Sequence, residues 1–354
     1  SQFGSYSRLN LKTGKRISIR PKHQLGDSPY RYNWQTPILL SPHNQDILYM
    51  GANKLLRSMD QGATFQVITE DLTTGGKKGN VPYGTLATIS ESTLQFGLIY
   101  TGSDDGLVHV TKDGGTTWNN ITGNLPKNLW VSRVEASKYK EGRVYVTLNG
   151  MRSDDFSVYI YSSENFGKTW KNISGNIPTS AVNVIKEDSA NKNILYVGTD
   201  NGLYVSFNNG SSWNAFSNGL PSVAVHDLVI QKREKDLVVG THGRSIYKTN
   251  ISQLQKFNKI SSKATHLFKV EGTRFSSRWG SSRSQWSQAN LPKVNVSIFS
   301  NTAKKVTVSV LAGDVVVNTF TVNADKGFNN ASYDVSFSKK GMKAYKKANP
   351  KAKL

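Results

Sequence analysis

The chain has 354 residues, and 37% of them are hydrophobic, a proportion typical of a globular protein with a buried core. It contains no cysteine, which excludes disulfide bonds, thiolate metal sites and cysteine nucleophiles. Its 45 Lys and Arg outnumber its 24 Asp and Glu, so the formal net charge is +21. This charge is typical either of a lysine-rich solvated surface or of a surface that attracts acidic polysaccharide, lipopolysaccharide or an anionic membrane.

Along the chain, short apolar strands alternate with turns. Residues 1–25 alternate in hydrophobicity around Gly14, which predicts one hairpin. From Trp34 onward, repeated units each carry a strongly apolar strand. These strands are Ile47–Met50, Leu98–Thr101, Val144–Leu148, Ile194–Gly198 and Leu237–Gly240. Turn residues recur between the strands and long apolar helical patterns are missing, so we predict an all-β protein.

An octapeptide recurs in these units with the pattern hydroxyl, spacer, Asp or Asn, spacer, Gly, spacer, hydroxyl, aromatic. The copies run from Ser58 to Phe65, Thr111 to Trp118, Ser163 to Trp170 and Ser206 to Trp213. Their Asp or Asn positions are Asp60, Asp113, Asn165 and Asn208, at intervals of 53, 52 and 43 residues. That period is typical of four-stranded propeller blades. Asp and Asn accept backbone hydrogen bonds in turns and Gly adopts positive φ, so we predict that the octapeptide is structural and not catalytic.

The remaining chain divides into three segments. Residues 223–250 keep the strands but lack the octapeptide, which predicts a terminal or degenerate fifth blade and a propeller region over residues 1–255. Residues 256–290 are rich in Ser, Arg and Trp and predict a linker or a long surface loop. Residues 291–354 alternate with period two and predict a small immunoglobulin-like β-sandwich, which we expect to be truncated. Trp279 and Trp286 in the Ser/Arg segment are expected to dock it against another domain or partner.

The octapeptides resemble the Asp box of the BNR repeat, which is shared by bacterial sialidases, sortilin-type ectodomains and xyloglucanase-like glycoside hydrolases. Longer segments resemble the large secreted BNR-repeat proteins of Bacteroidetes, often labelled sortilin-like or glycosyl hydrolase. These segments are Tyr30 to Gly62, Gly97 to Trp118, Trp130 to Ser137 and Val225 to Tyr247. The resemblance implies a secreted, periplasmic or outer-membrane-associated bacterial protein, and it implies that these residues form the C-terminal part of a longer chain with further blades.

Catalytic residues are difficult to assign. A sialidase needs converging arginines and a nucleophile pair, whereas most other glycosidases need two carboxylates across a cleft. Asp104, Asp105 and Asp200 lie in glycine-containing turns, where Asp is favoured for backbone reasons. We therefore predict a non-catalytic binding or assembly platform for glycan or protein. The alternative is a sialidase-like or xyloglucanase-like hydrolase with its catalytic acids mainly in an upstream part of the protein.

The binding candidates are aromatic side chains at the expected blade entrances and charged side chains on an expected innermost strand. They are Trp130, Arg133, Glu135, Tyr32, Trp34 and Tyr83. The aromatic rings suit either sugar stacking or packing between blades, and Arg133 with Glu135 suits either the central channel or a buried ion pair. His242 is interpreted as a turn residue. We expect no metal, no cofactor, no specific nucleic-acid partner and no membrane span.

Overall fold

In a computed structural model, which describes residues 2–76 and 83–351, the chain divides into two compact units, Ser1–Gln255 and Lys256–Leu354. The first unit begins with a short 3-10 helix and then a hairpin of β1 (Ser7–Leu9) and β2 (Arg16–Ser18), as the alternation around Gly14 predicted. Five antiparallel sheets follow, which we call blades I to V in chain order.

Blades I to IV each contain four strands in sequence order, and blade V contains three. Blade I comprises β3 (Ile38–Leu40), β4 (Leu48–Gly51), β5 (Leu55–Ser58) and β6 (Gln66–Val67). Blade II comprises β7 (Leu86–Glu91), β8 (Ile99–Ser103), β9 (Val108–Thr111) and β10 (Asn119–Asn120). Blade III comprises β11 (Trp130–Ala136), β12 (Val144–Gly150), β13 (Asp155–Ser163) and β14 (Lys171–Asn172). Blade IV comprises β15 (Val182–Glu187), β16 (Leu195–Thr199), β17 (Gly202–Ser206) and β18 (Asn214–Ala215). Blade V comprises β19 (Val225–Gln231), β20 (Asp236–Thr241) and β21 (Ile246–Asn250).

This all-β propeller architecture confirms the predicted fold class. The first strands of blades II to V lie side by side, and apolar clusters fill the space between successive sheets. Glycine in the second strand permits this close approach. A Cβ at Gly102 would lie 2.4 Å from Val131 of the next blade, and a Cβ at Gly198 would lie 2.6 Å from Val225. Any larger side chain at these positions would therefore push the neighbouring blade away.

Each octapeptide forms the turn between the third and fourth strands of blades I to IV. In the second copy, the Asp113 carboxylate accepts hydrogen bonds from the Thr117 amide and hydroxyl at 2.9 and 2.6 Å, and the Thr111 hydroxyl accepts from the Gly115 amide at 2.9 Å. These bonds lower the pKa of Asp113 to about 2. Asp60 accepts the equivalent two bonds in blade I. Asn165 and Asn208 also accept from the backbone amides of Thr169 and Ser212, but their own side-chain amides donate to the hydroxyls of those residues.

The tryptophan that ends each octapeptide of blades II to IV binds the preceding blade. The indole Nε1 of Trp118 donates to the carbonyl of Ile68, that of Trp170 to Ile121 and that of Trp213 to Ile173, at 3.0, 2.7 and 2.9 Å. Phe65 occupies the equivalent position in blade I and packs against a cluster that contains Tyr32 and Leu56. The octapeptide therefore closes its own hairpin and also fastens one blade to the one before it.

The second unit contains two small sheets. Strands β22 (Thr265–Leu267), β23 (Val294–Ser300) and β26 (Gly327–Tyr333) form one sheet, and β24 (Lys304–Ala312) pairs with β25 (Val315–Ala324). Helix α1 (Phe257–Ile260) precedes them and helix α2 (Lys339–Ala348) follows. The immunoglobulin-like topology of residues 291–354 stays a prediction.

Two details of this unit differ from the sequence-based expectation. The segment interpreted as a linker, residues 256–290, includes α1 and β22, because Ile260 and Phe268 pack against Phe299 in a small core. The sequence did not predict this core because the apolar residues of the segment are too sparse to show the periodicity of a helix or a strand. The last strand ends at Tyr333, and a helix that the sequence analysis did not predict follows it.

Candidate ligand-binding site

A cavity of 510 Å³ opens in the first unit, and residues of all five blades line it. Its lining includes Trp34 and Pro37 at the entrance of blade I, together with side chains from the inner strands of the other blades. A bulge in each of those inner strands explains how they reach it. The strand registers shift by one residue at Ala87, Ser132, Asn183 and His226, and all of these residues line the cavity. A β-bulge takes one residue out of the ladder and re-aims its side chain, so the bulges build this wall.

Two tryptophans supply aromatic surface to the cavity. Trp34 is 51% exposed and meets the ring of Phe3 edge-on at 5.3 Å. Trp130 is half-buried, and the guanidinium of Arg152 lies 3.9 Å from its ring centroid in a cation–π contact. Trp34 therefore offers a solvent-exposed aromatic surface, whereas Trp130 and Arg152 form one stacked, positively charged surface.

A chain of polar side chains crosses the cavity wall between blades III and IV. The Asn149 amide donates to the Asn183 carbonyl oxygen at 2.8 Å, and the Asn183 amide donates to the Asp200 carboxylate at 2.8 Å. These bonds orient both amide groups, and each group keeps hydrogen-bonding capacity for a ligand. Among the described residues that line the cavity, Asp200 is the one carboxylate.

The charged candidates on β11 form two separate ion pairs. Arg133 donates to the Asp227 carboxylate of blade V at 2.7 Å, which bridges strands that are not neighbours in the chain. Glu135 is buried and pairs with Lys186 of blade IV at 2.9 Å. The direct pair between Arg133 and Glu135, which the sequence left open, is therefore not formed. Arg133 lines the cavity, and Glu135 does not.

Two histidines of blade V complete one side of the cavity. The rings of His226 and His242 lie 5.1 Å apart with an interplanar angle of 31°. Burial and the neighbouring His242 lower the pKa of His226, so its ring is neutral at pH 7. His242 thus lies in the cavity wall in addition to occupying its turn.

The two tyrosine candidates lie outside the cavity lining. Tyr32 is buried, its hydroxyl donates to the Pro21 carbonyl at 3.1 Å, and burial raises the pKa of this hydroxyl to about 12. Tyr83 is half-buried. Of the six binding candidates, the structure brings together Trp34, Trp130 and Arg133.

Sequence reasoning missed Asn149, Arg152 and Asn183. Asn183 could have been found by aligning the inner strands, because it occupies the same position as Ser132 and His226. Asn149 and Arg152 lie at the end of β12 and in the short 3-10 helix after it, where no repeated pattern marks them.

Metal-binding clusters and membrane-spanning helices are both absent from the described residues, 2–76 and 83–351. These residues contain no group of three or more His, Asp or Glu residues that could hold a metal ion. No helix among them is both long enough and apolar enough to cross a membrane.

No family model matches the chain, and no curated protein matches it. Among solved structures it is similar to the GH74 xyloglucanase from Xanthomonas campestris, with 12% identity over 76% of this chain and 42% of that one, and a TM-score of 0.49. It is similar to an ancestral GH74 enzyme, with 14% identity over 84% of this chain and 39% of that one, and a TM-score of 0.49. The β-propeller domain of Cps50 (Swd1) from Myceliophteria thermophila has 11% identity over 63% of this chain and 67% of that one, with a TM-score of 0.46. The chain thus spans less than half the length of both GH74 enzymes.

Proposed function

We propose that the first unit is a non-catalytic binding module that holds a glycan in the cavity between its five blades. The observation that carries this proposal is the combination, in one 510 Å³ cavity, of two tryptophans with the chain of Asn149, Asn183 and Asp200. Sugars present apolar faces that stack on aromatic rings and hydroxyl groups that need paired donors and acceptors. The oriented amides and the exposed Trp34 ring supply both.

A protein or peptide ligand is the second occupant that fits a propeller cavity. The amides of Asn149 and Asn183 would also bind a peptide backbone, since they offer donors and acceptors at fixed positions. The exposed apolar surface of the cavity is restricted to the tryptophans and a few aliphatic side chains, such as Ile38 and Met151. The polar character of the remaining wall favours the glycan.

The number of carboxylates in the described cavity lining argues against a glycoside hydrolase at this site. Hydrolysis with two acids requires a pair of carboxyl groups across the bond to be cleaved, and Asp200 has no carboxylate partner among the described lining residues. Asp104 and Asp105 are committed to the backbone elsewhere: Asp104 accepts from the amides of Gly84 and Thr85, each at 2.8 Å, and Asp105 accepts from the amide of Thr74 at 2.7 Å. A hydrolase would therefore need an acid from outside these residues.

We also propose a repeat type for the octapeptides and a cellular location for the protein. We assign the octapeptides as Asp boxes of the BNR type and the protein to the secreted or cell-surface class of bacterial BNR-repeat proteins. The identical hydrogen bonds around Asp60 and Asp113 support the first assignment. Fractionation of the source cells with an antiserum tests the second, and recovery of the protein only from the cytoplasm would contradict it.

The binding proposal is tested by glycan-array screening of the full chain, followed by calorimetric titration of the oligosaccharide that binds best. Trp34→Ala should weaken binding by about tenfold or more, as for an aromatic binding hot spot. The matched control is Trp286→Ala, which removes an 88% exposed tryptophan outside the cavity and should leave the affinity unchanged. Equal affinities of the two variants would contradict the assignment of the cavity.

The alternative function is tested with the same oligosaccharide. The non-catalytic proposal expects no release of reducing sugar by the wild-type chain. Turnover that is present in the wild type and abolished by Asp200→Asn would overturn the proposal in favour of hydrolysis.

A further inference from the structure

The positive charge of the protein is concentrated in the second unit. Residues 256–354 contain 18 Lys and Arg against four Asp and Glu, a formal net charge of +14, whereas residues 1–255 carry +7. The described ion pairs all lie in the first unit. No described Lys or Arg of the second unit lies within 4 Å of a carboxylate, so these cations are not neutralised by the protein itself.

Helix α2 arranges part of this charge in a row. Its lysines are Lys339, Lys340, Lys343, Lys346 and Lys347, and all of them are exposed. At 3.6 residues per turn these positions fall within an arc of about 120° on one side of the helix. We call this surface the lysine stripe. It extends along a helix of about 15 Å, with successive lysines of the row 339, 343 and 347 about 6 Å apart along the axis.

The opposite side of α2 is fixed to the second unit. A Cβ on Gly341 would lie 1.8 Å from the Val317 carbonyl oxygen, so the helix backbone rests directly on β25. Ser338 caps the helix by accepting from the Gly341 amide at 3.0 Å, and Tyr345 packs against Phe337 with 5.6 Å between the ring centroids. The lysine stripe is consequently held on a rigid support and faces solvent.

Part of the stripe destabilises its own helix, although Lys346 and Lys347 lie in the last turn, where the helix dipole favours positive charge. Lys339 and Lys340 lie in the first turn, where the helix dipole disfavours positive charge, and α2 has no acidic residue in that turn. Lys343 has like-charged neighbours three and four residues away in both directions, and such pairs destabilise a helix. A row of charges that opposes folding is expected where it serves binding.

We propose that the lysine stripe binds a linear anionic polysaccharide through its carboxylate or sulfate groups. In an extended acidic polysaccharide the negative charges can repeat once per sugar unit. This spacing is similar to the distance of about 6 Å between successive lysines of the straight row on α2. A bilayer is disfavoured because the less polar side of α2, with Gly341 and Tyr345, is packed against the protein and cannot insert. Nucleic acid is disfavoured because the stripe contains no arginine and no aromatic ring for bidentate contacts or base stacking.

The test measures binding of the full chain to heparin, polygalacturonate, duplex DNA and phosphatidylserine vesicles over a series of salt concentrations. The test variant replaces Lys339, Lys343 and Lys347 with Gln, which keeps the helix propensity and removes like-charge repulsion. The matched control replaces the exposed Lys12, Lys15 and Lys22 of the first unit with Gln and changes the net charge equally.

We expect the wild type to bind at least one of the two polysaccharides more tightly than DNA or vesicles, and the preferred one identifies sulfate or carboxylate as the ligand group. The test variant should bind about tenfold more weakly than the control at low salt, with a shallower dependence on salt. Its melting temperature should not fall. Equal weakening of test and control variants would overturn the proposal by showing diffuse attraction, and tighter binding to DNA or vesicles would overturn it in favour of those partners. Neither result depends on the cavity of the first unit.

Discussion

Replacement of Trp170 by Ala tests whether the octapeptides hold the blades together. Trp170 is 7% exposed, packs in the cluster between blades II and III, and donates its Nε1–H to the Ile121 carbonyl at 2.7 Å. Truncation of a buried tryptophan costs about 3–5 kcal/mol through lost burial and the remaining cavity. The Ile121 carbonyl also loses its donor, which places the expected loss in the upper half of that range. Urea unfolding followed by circular dichroism measures it.

Two companion variants separate packing from hydrogen bonding. Trp170→Phe keeps most of the buried ring and removes the Nε1–H, so it should cost less than Trp170→Ala, about 1–3 kcal/mol. Trp118 is only half-buried, and Trp118→Ala should accordingly cost less than Trp170→Ala. The reasoning is refuted if Trp170→Ala unfolds within about 0.5 kcal/mol of the wild type, the range of an ordinary surface substitution.

Two further predictions concern blade packing and acid stability. Gly198→Ala should destabilise the chain by about 1–3 kcal/mol because its Cβ would lie 2.6 Å from Val225. Gly240→Ala, at the equivalent position of blade V, should leave the stability unchanged because the nearest atom would lie 3.6 Å from the new Cβ. Equal urea midpoints of the two variants would contradict this prediction. Burial lowers the pKa of His109 to about 4, below the value of 6.5 in the unfolded chain. Between pH 6.5 and pH 4 the unfolded chain therefore binds more protons than the folded chain. The free energy of unfolding should fall by up to about 3 kcal/mol as the pH drops from 7 to 4. His109→Leu should flatten this pH dependence, the exposed His23→Leu should not, and identical pH profiles of the two variants would contradict the prediction.

The blades could be predicted because their determinants are local. The turn around Asn165 needs an acceptor, a glycine and a hydroxyl within five residues, and Asn165 in fact accepts from the Thr169 amide at 3.0 Å. A pattern of this kind can be read from sequence because all of its partners are close in the chain. Its repetition predicted four-stranded blades, and blades I to IV contain four strands each.

The candidate site could be predicted only in part because its contacts are distant in sequence. Arg133 and Asp227 are 94 residues apart, and no local pattern selects this pairing over one with Glu135. Trp34 and Trp130 were found because aromatic rings at the entrances of blades suit sugar stacking, whereas Asn183 resembles any other polar residue of a strand. Helix α2 was missed because its sequence has few apolar residues, and a backbone contact at Gly341 anchors it.

In blades II to V, the bulges separate the residues that line the cavity from the residues that fasten the blades together. A bulged residue leaves the ladder, so Ala87, Ser132, Asn183 and His226 carry no cross-strand pair and can differ without changing the register of the sheet. The bulges lie in the first strand of a blade, whereas the turns that fasten the blades lie between its third and fourth strands. Because the two sets of residues do not overlap, the cavity can be altered at the bulges while the tryptophan bonds of the octapeptides to the preceding blades stay intact. The diverse side chains at the bulges, set against the uniform octapeptides, support the proposal that the inner strands determine the ligand specificity of the cavity.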